Sequence, residues 1–467
     1  MQEALAEARI SGEMRSDTLA VPRMDKFLIE GGYPLSGTIV PAGNKNAALP
    51  ALAACLLTEE EVVLRNIPRI RDVEAMLRLL ERLGVRVEWR EANAVALCAA
   101  DVQADAEVPR DLTEPIRASF LIAGPLLARF GLAVVPPPGG DVIGRRRLDP
   151  HLDAFRALGA TVASNRVYRI EAGDGLRACD FFMDEPSVMA TENALMAAAL
   201  TSGSTVIHNA ASEPHVQDLA RMLLQMGARI EGIGTNQLIV HGAEELGGAD
   251  FRIGPDHIEI GSFIALAAAT RGEIRVKDCV PQDLRSTEVA FARLGVHIEF
   301  EGNDVVVPGD QDLRVRDDEG QAVSKIEDGP WPAFPADLTS IALALATQAD
   351  GIVLIFEKMF ENRLFFVDKL VTMGARVILC DPHRAVVSGP GRLHGERVDS
   401  PDIRAGMAML IAALCAEGTT EIGNIRQIDR GYERIDERLR ALGARIDRWG
   451  ESAATGGAEP SPGAAAA

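Results

Sequence analysis

Three stretches of the 467-residue chain carry residue types that bind anions and move protons. PAGNKNAALP, from Pro41, runs through a glycine turn to Lys45 and Asn46 at the mouth of an apolar helix. Free N–H groups and the helix dipole at such a mouth attract anions, and Lys45 adds a full charge. A helix entrance with a solvated lysine is the plainer reading of the same residues. PPPGGDVIGRRRLDPHLDAF, from Pro136, combines three consecutive prolines, Gly139, Gly140 and Gly144 with consecutive Arg145, Arg146 and Arg147. It lacks the GK[ST] ending of a P-loop. Its guanidinium forks suit phosphate and carboxylate, and a loop of this make-up can close over a bound anion. Asp141 beside Gly140 is most often a turn residue. In GPWPAFPADLTSIALALA, Asp337 opens another apolar helix, either as a cap or as a general base facing a cleft. Arg117, Arg363, Arg404, Arg430 and Arg434 each read as surface charges when taken alone, but together they recur near the starts of repeated units.

The units that must position these residues are visible as a repeat. A phrase of the form Leu/Met-Gly-Ala/Val-x-Val/Ile occurs six times, with its glycine at Gly84, Gly159, Gly227, Gly295, Gly374 and Gly443. The residue numbers differ in turn by 75, 68, 68, 79 and 69. An amphipathic stretch such as DVEAMLRLLERL precedes the glycine, which takes the left-handed position that closes a helix. Alternating residues such as VRVEW follow as a strand. Upstream lie more uniformly apolar helices (AALPALAACLL, TENALMAAALTSG, FIALAAATRG, LTSIALALATQ, AMLIAALCAEG), which belong in an interior. Solenoid periods lie near 20 to 50 residues, so units of roughly 70 residues favour two globular domains of three units each. The chain divides near Ile253–Asp256. Residues 45–254 form one domain, with the basic loop at 136–149. Residues 24–44 and 255–450 form the other, closed by both ends of the chain, so that the chain crosses twice. Segment 1–23 reads as a flexible extension and 451–467 as a disordered tail.

Composition bounds the partners. Apolar residues make up 47%, charged residues 25% and aromatic residues 4%, and the net charge is −20. So acidic a surface argues against nucleic acid and anionic membranes, and basic residues that meet an anionic substrate must be gathered locally. Six dispersed cysteines without CxxC read as reduced thiols, and eight dispersed histidines indicate no metal site. The N-terminus has no apolar h-region, and no apolar run approaches the roughly 20 residues of a membrane span. These features predict a cytoplasmic chain acting on small molecules.

In order and spacing, GNKNAALP at Gly43, IRASFLIAGPLLARFG at Ile116, PGGDVIGRR at Pro138, PAFPADL at Pro332, FENR at Phe360 and IDRGYERIDERLRALGA at Ile428 resemble the UDP-N-acetylglucosamine enolpyruvyl transferases. The match runs from about Met24 to Arg448. The resemblance implies two inside-out α/β barrel domains with the site in the cleft between them. It implies transfer of enolpyruvyl from phosphoenolpyruvate to the sugar 3′-hydroxyl, releasing phosphate through a tetrahedral intermediate, as the first committed step of peptidoglycan synthesis. No metal or organic cofactor is implied. Lys45, Asn46, Arg146, Arg404 and Arg430 would hold phosphoenolpyruvate. Asn46, Arg117, Arg146, Arg147, Leu148, Asp149, Pro150, Glu185, Pro186, Ser187, Val188, Asp337 and Met359 would hold the nucleotide sugar. Asp337 would take the hydroxyl proton, and Lys45 and Arg430 would act with it in catalysis.

Several positions depart from the family pattern. Asp141 stands where most members carry the cysteine that fosfomycin alkylates, which places the chain with an aspartate subgroup and predicts resistance. Asp141 would then protonate the enolpyruvyl methylene or assist phosphate release, and donating near neutral pH requires a raised pKa. Glu185 replaces a usual lysine, Arg147 a common proline and His257 a usual arginine, and pairing of Arg147 with Glu185 would compensate the first two. A different nucleotide or shikimate 3-phosphate as acceptor, and an inactive binding paralogue, are the alternatives. The oligomeric expectation is a monomer or weak oligomer.

Overall fold

All six repeat glycines adopt the left-handed conformation, with φ of 99° at Gly84, 94° at Gly159, 104° at Gly227, 84° at Gly295, 100° at Gly374 and 96° at Gly443. In a computed structural model that describes residues 25–103 and 108–450, each glycine follows an outer helix. These helices are Arg71–Arg82, Asp149–Ala157, Pro214–Gln225, Arg285–Ala292, Val367–Thr372 and Ile435–Ala441. The residue after each glycine donates to the carbonyl five positions earlier, as Val85 does to Leu80 at 3.0 Å and Ala444 to Leu439 at 3.0 Å. This is the Schellman closure, which a Cβ at the glycine would strain. The proposed extension 1–23 and tail 451–467 lie outside the described residues.

Each unit pairs its outer helix with a buried one and a small sheet. The buried helices are Lys45–Ala54, Arg117–Ile122 continuing into Ala123–Phe130, Val188–Ala199, His257–Ala269, Ala336–Leu338 continuing into Thr339–Ala346, and Ile403–Cys415. Every residue of His257–Ala269 is buried. That matches its uniform apolarity, and each side chain the size of Phe263 contributes about 1.5–3 kcal/mol on burial. The described residues form six sheets, five of four strands and one of three. The fold is thus a mixed α/β arrangement of six like units around interior helices.

The buried apolar side chains fall into two clusters. One draws on residues from Ala47 to Ile253, and the other on Phe27 to Ile39 together with Ile258 to Ile446. The first strand, Lys26–Glu30, lies between Thr419–Gly423 and Arg445–Trp449, with Ile29 opposite both Thr420 and Ile446. Ser36–Ile39 runs parallel to Glu273–Val276 in a second sheet of the same body. The two connections between the bodies lie side by side. Asn44 N–H donates to Gly254 O at 2.8 Å and Asp256 N–H to Ala42 O at 2.9 Å. Gly43, on the first of these connections, packs against Asn66, whose carbonyl a Cβ would meet at 1.7 Å.

Candidate active site

The first residues of all six buried helices meet at one cavity. Lys45 and Asn46, Arg117 and Ala118, Val188 and Met189, His257 and Ile258, Ala336 and Asp337, and Ile403 and Arg404 line a space of about 260 Å³ between the two bodies. Acidic and polar caps fix several of these starts. Asn44 Oδ1 accepts from Asn46 N–H at 2.8 Å, Asp256 Oδ1 from Ile258 N–H at 2.9 Å, and Asp402 Oδ1 from Arg404 N–H at 2.8 Å. Converging helix N-termini give the cavity a positive field before any side chain is counted.

Six cations line the same space: Lys45, Arg117, Arg146, Arg363, Arg404 and Arg430. Four of them are held by carboxylates. Asp72 sits 2.7 Å from Lys45 Nζ and 2.8 Å from Arg430 Nε, and Arg430 also reaches Asp141. Asp337 lies 2.9 Å from both Arg363 and Arg404, whose second nitrogen donates to Tyr432 Oη at 3.1 Å. Burial works to raise the Asp337 pKa, but Arg404 and Arg363 outweigh it and hold the carboxyl far below the usual range. Arg117 and Arg146 differ, having no carboxylate within ion-pair distance among the described residues. Burial, then the charge of Arg146, lowers Arg117 to about 10, and burial likewise lowers Arg146. Two partly buried guanidiniums without an acidic partner are the arrangement that an incoming phosphate or carboxylate stabilises.

The basic loop spans the gap between the bodies. Arg145 N–H donates to Glu361 Oε2 at 3.0 Å and Asn362 N–H to Ile143 O at 2.9 Å. Gly139 lies so close to Glu114 that a Cβ would come within 1.8 Å of its carbonyl, and Gly140 has φ of 96°. Val142 is exposed while Ile143 is buried, so the loop presents one apolar side inward. Asp141 accepts from Arg430 through Oδ1 in this arrangement.

Of the residues singled out in the sequence, Lys45, Asn46, Arg117, Gly140, Asp141, Arg146, Val188, His257, Asp337, Met359, Arg363, Arg404 and Arg430 line the cavity. Arg147, Leu148, Asp149, Pro150, Glu185, Pro186, Ser187 and Arg434 do not. Arg147 instead bonds Asp184 at 2.8 Å, approaches Asp149 at 3.3 Å and lies 3.8 Å from Glu185. The glutamate that replaces a usual lysine therefore faces an arginine. Arg434 pairs with Glu437 on the exposed surface, with φ of 44°. Sequence reasoning missed Asp72, Glu192, Glu213, His215 and Trp331, all cavity-lining. The best signal was Glu192, the one carboxylate of helix Val188–Ala199, set between Thr191 and Asn193 in a run otherwise made of Ala, Leu, Met and Val.

Buried imidazoles add a pH dependence. Burial lowers His151 and His215 to about 3 and His257 to about 4. His151 Nδ1 lies 2.9 Å from Asn193 Nδ2, a donor that a protonated ring could not face. A depressed histidine contributes stability above the unfolded pKa of about 6.5, and that contribution is lost as pH falls. At pH 5 the loss is about 2 kcal/mol per histidine. Comparing urea unfolding of wild type and His151→Gln should show the wild type losing about 2 kcal/mol relative to the variant between pH 7 and pH 5. A difference unchanged with pH would mean that His151 is not held neutral.

The match to known proteins covers nearly all of the described chain. Residues 29–439 match the family described as EPSP synthase (3-phosphoshikimate 1-carboxyvinyltransferase). The chain belongs to this family. A UDP-N-acetylglucosamine 1-carboxyvinyltransferase of Bradyrhizobium diazoefficiens is 56% identical over 91% of the chain and 98% of that protein. The protein of the same name from Treponema denticola is 54% identical over 91% of the chain and 99% of its own length. Among solved structures, the enolpyruvyl transferase NikO from Streptomyces tendae superposes with a TM-score of 0.80 at 25% identity, covering 91% of this chain and 99% of that one. An EPSP synthase from Acinetobacter baumannii shares the fold with a TM-score of 0.71 at 17% identity, covering 91% and 100%. The family is one of α/β transferases, and the six-unit arrangement described above is its architecture. No helix among the described residues is long and apolar enough to cross a membrane.

Proposed function

We propose that this enzyme transfers enolpyruvyl from phosphoenolpyruvate to the 3′-hydroxyl of UDP-N-acetylglucosamine, releasing phosphate. The supporting observation is the convergence of six helix starts, and of two arginines with no carboxylate partner among the described residues, on a cavity that also holds Asp337. Two anionic substrates need a local, preorganised positive cluster in a protein of net charge −20. Relatives that carry this activity in their names reach 56% identity across the chain, which favours the nucleotide sugar over shikimate 3-phosphate as acceptor.

In this reading Lys45, Asn46, Arg146, Arg404 and Arg430 hold phosphoenolpyruvate. Asn46, Arg117, Arg146 and Asp337 hold the sugar and diphosphate, with the backbone of Met359 against the base. Residues Arg147 to Pro150 and Glu185 to Val188 border the diphosphate. Asp337 takes the hydroxyl proton as the oxygen bonds C2 of phosphoenolpyruvate, and C3 gains a proton, from Asp141 or through it. Loss of a C3 proton then restores the double bond as the C2–O bond to phosphate breaks. The two apolar clusters act as two domains, 24–44 with 255–450 and 45–254, that close on the substrates. A cytoplasmic location and a monomeric or weakly associated state belong to the same proposal.

Phosphate release tests it directly. Purified protein with phosphoenolpyruvate should release phosphate only when UDP-N-acetylglucosamine is added, and shikimate 3-phosphate should not substitute. A folded protein that releases none with the nucleotide sugar would overturn the acceptor assignment and direct attention to Arg147, Glu185 and His257.

A further inference from the structure

One wall of the cavity takes no part in the transfer just described. Glu192, in helix Val188–Ala199, is 1% exposed, and His215, at the start of helix Pro214–Gln225, is 6% exposed. Glu213, the residue before that helix, also lines the cavity. Each presents a buried polar atom with no hydrogen-bond partner among the described residues: Glu192 Oε1, Glu213 Oε2 and His215 Nδ1. The other body completes the wall. His215 stacks on His257 at 6.1 Å with planes 10° apart, and Trp331 meets His257 edge-on at 6.0 Å. Buried polar atoms are normally paired, so three unpaired ones lining one cavity mark a place where a ligand supplies the partners.

We propose that Glu192, Glu213 and His215 form the subsite that hydrogen-bonds the hydroxyl and amide groups of the acceptor's sugar, and so decide which sugar is accepted. The inference rests on the nucleotide-sugar reading given above. The chemistry of the wall favours an uncharged polar group. Burial, reinforced by Glu213, raises the Glu192 carboxyl well above its ordinary value, so it donates as well as accepts. Burial likewise raises Glu213, although backbone N–H groups, Trp331's among them, pull it partly back. Burial, followed by His257, keeps His215 neutral. Such a wall offers donors and acceptors to a polyol or acetamide and no cation to a phosphate. Its position fits a sugar as well. Asp337, His215 and His257 line the same cavity, with the His215 and His257 rings stacked 6.1 Å apart. A sugar presenting its hydroxyl to Asp337 therefore brings the neighbouring ring substituents to this wall.

The test separates sugar recognition from diphosphate recognition. Affinities for UDP-N-acetylglucosamine and for UDP alone would be measured by calorimetry on wild type and Glu192→Leu, alongside KM for both substrates. Glu192→Leu should weaken UDP-N-acetylglucosamine about tenfold in Kd and KM, the loss typical of a missing buried hydrogen bond, while UDP stays within about twofold. His215→Phe keeps the ring stack and deletes the nitrogens, so it reads the same contrast if Glu192→Leu does not fold. Equal losses for UDP and UDP-N-acetylglucosamine, or no loss for either, would overturn the subsite. A wild type that releases no phosphate with UDP-N-acetylglucosamine would instead fail the underlying reading, and the two failures are distinct.

Discussion

Replacing Asp337 with asparagine is expected to lower acceptor-dependent phosphate release by about 100- to 10,000-fold, the usual contribution of a positioned general base. The carboxylate sits at the start of a buried helix with Arg363 and Arg404 each 2.9 Å away. Both arginines are at most 5% exposed. With two guanidiniums in contact, the free enzyme holds Asp337 as a weak base. Arg404 is also one of the groups proposed to receive phosphoenolpyruvate. A substrate carboxylate that draws Arg404 aside removes one of the two charges and makes Asp337 more basic when the acceptor is ready to react. Asparagine retains the shape and one acceptor oxygen, so substrate binding should survive while turnover falls. The substitution also leaves two buried guanidiniums short of a partner, which costs about 3–5 kcal/mol, so a lower melting temperature should accompany it. Assays belong well below that temperature. A variant keeping more than a tenth of wild-type turnover would remove Asp337 as the base.

The second large effect concerns fosfomycin. The wild type should show no time-dependent inactivation under conditions in which an Asp141→Cys variant is fully inactivated. Epoxide opening needs a strong nucleophile, and a thiolate is intrinsically far more nucleophilic than a carboxylate. Asp141 is also already engaged by Arg430, which ties up its oxygen. The cysteine variant would stand on the same loop, reaching the same cations, with a free sulfur. Irreversible loss of wild-type activity at drug levels that inactivate the variant would show that the carboxylate is alkylated after all.

Much of the fold could be read before any coordinates because its signal was repeated. One glycine in a left-handed closure is ambiguous, but six at near-constant spacing, each after an amphipathic helix, admit few arrangements. The uniformly apolar helices were equally legible, since a helix without a polar face has nowhere to go but inside. The sixth buried helix was harder. Arg117–Ile122 is a 3-10 turn running into the short Ala123–Phe130 helix, where Gly124 packs so tightly that a Cβ would lie 2.6 Å from the Asn193 carbonyl. Such a broken helix lacks a clean period.

In the site, the residues on long motifs were readable and the single ones were not. Asp72 falls in the first turn of an amphipathic helix, where an acidic residue is expected for dipole reasons. Nothing local shows that it pairs with Lys45 in its own body and with Arg430 across the cleft. Glu213 and His215 sit in EPHVQD, which reads as a helix start on the surface, and only the packing of two bodies turns it inward. Arg147 shows the converse. The resemblance puts it beside the diphosphate and its charge suggests a partner for Glu185; the structure sets it 3.8 Å from Glu185 and adds Asp184 and Asp149, which no motif signals.

The strand Lys26–Glu30, seated between Thr419–Gly423 and Arg445–Trp449, has a consequence for how the molecule is made. Its contact from Glu30 to Arg445 spans 415 positions of sequence. At ribosomal speeds of about 5–20 residues per second, that strand emerges roughly 20–80 s before its last partner exists. The body built from residues 47–253 has all its apolar residues in hand within that interval. Folding during synthesis should therefore proceed middle first. The newborn amino-terminal strand waits with an open edge, a natural client for a holding chaperone until translation ends.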